Sequence, residues 1–148
     1  MKKIIGMLVL LIVITTLTFM CKPQKINENK KIGNVIYLYE KALNSNNVDS
    51  VLPHFSEDAV LVMQGAPTCI GTEAVKKFYI SIFNKIDFDT KFTVEEIVQM
   101  SPEWAFVRTT ARSNNSTDSV EGGHEIFILK KQFDENWKIA RYSGSSAK

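Results

Sequence analysis

Three strand-like runs toward the end of the chain constrain its fold more than any other feature. They are Trp104–Arg112, Gly123–Lys131 and Trp137–Tyr142, joined by a polar turn at Asn114–Asp118 and a short one at Asp134–Asn136. Apolar and polar residues alternate in the first and last runs, the pattern of a sheet with one covered face and one wet face. Phe88–Met100 supplies a further strand ahead of them, with Phe92, Val94, Val98 and Met100 on one face and Glu96 as the misfit. A meander of this kind needs something to cover its apolar face.

Three helical stripes can do so. Ile32, Val35, Ile36, Tyr39, Ala42 and Leu43 follow helical spacing, and Asn44–Asn47 ends that helix because these side chains compete with the helix backbone. Val48, Val51, Leu52 and Phe55 make a second, short helical face, capped by Asn47 or Asp49 and limited by Pro53. Ser56–Asp58 reads as a turn, Ala59–Met63 as a short strand and Gln64–Pro67 as a loop. Thr72 caps a third helix, whose face is Val75, Phe78, Tyr79, Ile82 and Phe83. The expected fold is α+β: a cone-like roll in which a curved antiparallel sheet (a four-stranded meander plus a short strand) packs on three helices.

The front end follows different rules. Lys2 and Lys3 precede Ile4–Met20, which holds no charged residue, and then come Cys21 and a polar stretch. That is the pattern of an export signal. Cys21 stands where a bacterial lipoprotein carries its acylated cysteine, although Leu17 lies one place early for the usual box. An uncleaved anchor is the alternative, at the short edge of the about 20 residues a spanning helix needs; a secreted, cleaved product comes third. All three place the domain in the cell envelope or beyond it, outside the cytoplasm. Residues 1–21 are thus read as signal or membrane anchor, 22–30 as linker, 31–144 as the domain and 145–148 as a polar, frayed tail.

Several function classes are excluded. A net charge of +2 with scattered Lys and Arg argues against nucleic acid. The two cysteines, Cys21 and Cys69, form no metal-binding cluster, and no nucleotide motif occurs, so no metal or cofactor is expected.

Three stretches carry a resemblance: Tyr39–Asn44, His54–Val60 and Gly71–Tyr79, with Leu129–Gln132 and Trp137–Tyr142 at the far end. In their order and spacing they resemble the SnoaL-like, ketosteroid-isomerase-homologue branch of the nuclear transport factor 2-like superfamily, over about residues 30 to 143. The resemblance implies a cleft between helices and sheet for a small molecule, and a homodimer packed through the convex sheet face. It also implies a helix tyrosine, matched by Tyr39, a strand carboxylate base, and a later-strand acid near His124 or Glu125. Met63 stands at the base position and cannot abstract a proton. The isomerase set is therefore incomplete.

His124 and Glu125 are adjacent on a strand, so only one can face the cleft. The expected site pairs Tyr39 with His124 as the acid–base couple. Met63, Phe78, Arg108 and Glu125 are the ligand-binding candidates, with Arg108 a possible carboxylate clamp. Several have a plainer role: Tyr39 in the core, His124 as a hydrogen-bonded strand histidine, Glu125 at the surface or in a bridge, and Arg108 with Arg112 in an exposed row; Arg141 with Glu96 reads as a structural pair across the sheet. The leading reading is an exported domain that binds a small apolar molecule. The alternatives are an acid–base isomerase, cyclase or hydratase using His124 and Tyr39, and a protein-assembly module whose cleft is filled by its own side chains.

Overall fold

The computed structural model describes residues 28–113 and 123–145. Cys21, the turn at Asn114–Asp118 and Gly122 lie outside them. The chain divides into two compact units, Met1–Lys31 and Ile32–Lys148. In the first, residues 28–31 are helical, and 28–30 fall inside the stretch expected as linker. No helix among the described residues is long and apolar enough to cross a membrane.

The second unit begins with α1 (residues 32–44) and the single turn α2 (Val48–Val51). Asn47 caps α2, its side chain accepting from the Asp49 amide at 2.9 Å. Pro53 stands in the 3₁₀ turn Leu52–His54, and the backbone is extended from Phe55 onward. Phe55–Asp58, expected as helix end and turn, therefore belongs to β1 (Phe55–Met63). A register shift between Phe55 and Val60 absorbs the polar residues there. β2 (Cys69–Ile70) and α3 (Thr72–Phe83) follow. The cap of α3 is Gly71 rather than Thr72; Gly71 sits at φ 79°, open to glycine without strain, and its amide bonds Ala59 O at 2.8 Å.

β3 (Thr90–Gln99), β4 (Trp104–Ser113), β5 (Gly123–Lys131) and β6 (Trp137–Ser145) form the expected meander. The sheet has six strands in the order β2-β1-β6-β5-β4-β3, so it curves around the helices without closing. All its pairings are antiparallel except β1 with β6, which run parallel. That pairing sets Gly144 opposite Met63, and β5 pairs His124 with Ser145, so residues read from sequence as frayed or nearly so lie inside the sheet. Strand β5 stops at Lys131, and Phe133 stands fully exposed in the following turn.

Two irregularities decide which side chains face the helices. A shift between Val94 and Glu96 reverses the alternation of β3, turning Ile97 inward while Val98 and Met100 are exposed. Glu96 is therefore no misfit: it lies outside and bonds Arg108 at 3.4 Å. Arg141 does not pair with it; its guanidinium donates to Asp58 O and Ala140 O. The second shift buries both Ile139 and Ala140 and brings Tyr142 and Gly144 inward.

One asparagine and one glutamate lock α1 to the edge strand. The Asn44 side chain bonds both polar groups of the Thr90 backbone at 2.8 Å. Glu40 accepts from the Phe92 amide at 2.7 Å and from Lys91 Nζ at 3.0 Å. The core centres on Tyr39, whose ring meets Phe55, Phe92, Phe127 and Tyr142 at centroid distances of 5.7–5.9 Å.

Candidate functional site

A cavity of about 130 Å³ lies between α1, α3 and the concave face of the sheet. Aromatic rings dominate its wall: Tyr39, Phe78, Tyr79, Phe88, Phe92 and Tyr142. Met63, Ala111 and Glu125 also line it.

The placement of Met63 and Glu125 in the lining follows from strand register. Met63, Gly144, Glu125 and Thr109 are successive partners across β1, β6, β5 and β4, so they form one row. Glu125 and Thr109 are both buried. Gly144 makes room for the acid, since a Cβ there would collide with Glu125 Oε2 and with Met63 Cε. The Tyr142 hydroxyl donates to the Glu125 carboxyl. Among the described residues, Glu125 Oε2 and Thr109 Oγ1 find no hydrogen-bond partner. Buried polar atoms are rarely left this way, and two on neighbouring strands call for an explanation.

Burial sets the electrostatics. It pushes the Glu125 carboxyl up to about 7, against a smaller opposing effect from the Tyr142 hydrogen bond. The Tyr39 and Tyr79 hydroxyls bond each other at 2.7 Å. Burial pushes Tyr39, Tyr79 and Tyr142 well above the ordinary phenol range, so all three are neutral hydrogen-bonding groups near neutral pH. The site thus offers one titratable acid, neutral hydroxyls, a thioether and ring faces.

Of the residues expected in the site, Tyr39, Met63, Phe78 and Glu125 share this cavity. His124 and Arg108 do not. Glu125, Phe127 and Leu129 take the inward positions of β5, which leaves His124 exposed on the convex face opposite Thr110. Tyr39 and His124 therefore cannot act on one molecule in this cavity. Arg108 is also exposed on the convex face, bonded to Glu95 and Glu96, so it clamps no ligand in the cleft. Thr110 bonds the same Glu95. Tyr79 and Tyr142, which line the cavity, and Gly144, which makes room for Glu125, were not anticipated as site residues. Tyr79 and Tyr142 have the helical and strand spacing of ordinary core, and only the parallel β1–β6 pairing brings Gly144 under the acid.

The sequence pattern of the SnoaL-like domain family matches residues 35–135, and this chain belongs to that family. Its fold is shared with a ketosteroid isomerase-like protein from Erwinia carotovora atroseptica, at 29% identity and a TM-score of 0.67, covering 78% of this chain and 92% of that one. An NTF-2 like protein of unknown function from Shewanella oneidensis has 20% identity and a TM-score of 0.69, covering 80% and 99%. An NTF2-like protein with a cystatin-like fold from Novosphingobium aromaticivorans has 13% identity and a TM-score of 0.69, covering 86% and 87%. No curated protein matches this chain.

Proposed function

We propose that this domain binds a small, largely apolar molecule in the aromatic cavity, with a polar end of the ligand placed against Glu125. The observation that carries this reading is the Glu125 carboxyl in the lining of a mostly aromatic hollow, its Oε2 buried without a partner. Leaving such an atom unmatched costs about 1–3 kcal/mol, a cost that a complementary ligand group removes. The size fits: an engineered apolar cavity of about 150 Å³ takes benzene, and this one is about 130 Å³. A hollow of that volume disfavours an assembly module packed solid with its own side chains.

The enzyme alternative has less support. Glu125 has the proton affinity of a general acid, but Met63, two strands away in the same row, offers no base. Likeness to a protein named ketosteroid isomerase-like does not supply that base. Binding without turnover is the reading that uses every group present.

Native mass spectrometry of the purified protein should show a co-purifying organic molecule. Ala111→Phe, which fills the hollow from β4, should abolish it while leaving the unfolding midpoint unchanged or raised. An adduct that survives this substitution lies elsewhere, and a wild-type protein that binds none of a panel of small apolar compounds has no such site.

The same proposal places the domain outside the cytoplasm, held to a membrane through an acylated Cys21. Its support is the Lys2-Lys3 start, the uncharged run Ile4–Met20 and the cysteine that follows. Cells fed radiolabelled palmitate should label the wild-type chain and not Cys21→Ala. Equal labelling of both, or of neither, removes the lipoprotein assignment.

A further inference from the structure

Granting the binding site above, we propose that its ligand is a small apolar amine, bound as the ammonium ion against Glu125 and the surrounding ring faces. Three observations converge on a cation. The unpartnered polar atom of the lining is an oxygen, Glu125 Oε2. An ammonium N–H can meet such an acceptor, whereas a second carboxylate or a phosphate would be repelled by the acid.

Six aromatic rings line the wall, with Met63 beside them and Leu43 and Ile82 as aliphatic members. Aromatic faces are negative and attract cations, most strongly where water is excluded. A neutral ligand would use the apolar area of these rings and leave that attraction unused.

The third observation is the positive charge that is missing. Buried carboxylates are normally paired. The titratable groups facing Glu125 are Tyr142 from β6, Tyr39 from α1 and Tyr79 from α3; β1 contributes Met63 and β4 contributes Thr109. Among the described residues no lysine or arginine contributes to the state of this carboxyl.

The test compares cyclohexylamine with the near-isosteric ketone cyclohexanone, by calorimetry on the full chain at about pH 6 and about pH 8. The amine stays cationic throughout, so its binding follows the ionised fraction of Glu125 and should tighten roughly tenfold over this interval. Glu125→Gln, which keeps the shape of the side chain, should weaken amine binding by about tenfold or more at the higher pH and erase the pH dependence. Tighter binding of cyclohexanone, strengthening toward low pH, would overturn the amine assignment and leave the cavity as a site for a carbonyl compound. Amine binding untouched by both Glu125→Gln and Ala111→Phe would place the amine elsewhere and overturn the assignment too. If neither compound binds, the binding-site reading falls with it.

Discussion

Raising the pH from about 4.5 to about 8 should cost the empty domain about 3 kcal/mol of folding stability through Glu125 alone. The carboxyl stands at about 7 in the folded protein against 4.5 in its ordinary state, with burial as the cause. A group whose folded pKa is raised holds its proton more tightly in the native state. Its contribution is complete below about 4.5 and is lost as the pH climbs through about 7. Urea unfolding across this range measures the slope, and Glu125→Gln should flatten it. An equally steep loss in the Gln variant would assign the effect to other groups.

Phe127→Ala should be the most damaging single truncation in the core, at about 3–5 kcal/mol. Phe127 is fully buried, stacks on Tyr142 at 4.4 Å, and meets Tyr39 and Phe92 edge-on at 5.9 Å. Its loss opens a void under the ring that positions the donor to Glu125. With total stability of about 5–15 kcal/mol in ordinary domains, little would remain. Phe133 is the matched control: the same residue type, fully exposed in the hairpin turn, where Ala should change stability by no more than about 0.5 kcal/mol. Comparable losses at the two positions in chemical unfolding would contradict the core described here.

These two residues also show how much the sequence disclosed. The helical stripe ending at Asn44 and the alternation in β4 and β6 were enough for the α+β roll, because each has one apolar face. Phe127 belonged to the core on any reading of its strand. The orientation of β5 was harder, since Phe127 and Leu129 on one face match Ile126 and Ile128 on the other. Hydrophobic period alone gives no parity for such a strand, so His124 and Glu125 could not be told apart. The register with β4 and β6 decides it and sends the histidine outward.

The other misreadings have similar physical origins. A bulge in β3 and another at the Ile139–Ala140 step each shift alternation by one residue, and nothing local in composition announces them. Pro53 was read correctly as a limit on α2, but the parallel pairing that draws Phe55–Asp58 into a strand depends on β6, about eighty residues away. Gly144 has no local signal as a site residue; its role exists only because Met63, Gly144 and Glu125 meet in one row. The resemblance to the SnoaL-like family narrowed the acid to His124 or Glu125, and the pleat of the sheet selects the second.

Carbon-13 NMR of the Glu125 side-chain carboxyl, assigned with Glu125→Gln, tests most directly whether a desolvated, uncompensated acid lines this cavity. The arrangement described here predicts a titration midpoint near 7 in the empty protein, moving downward when a cationic ligand fills the hollow. A midpoint near the ordinary 4.5, unmoved by any ligand, would mean that the carboxyl is solvated or already paired, and that the cavity has no polar anchor.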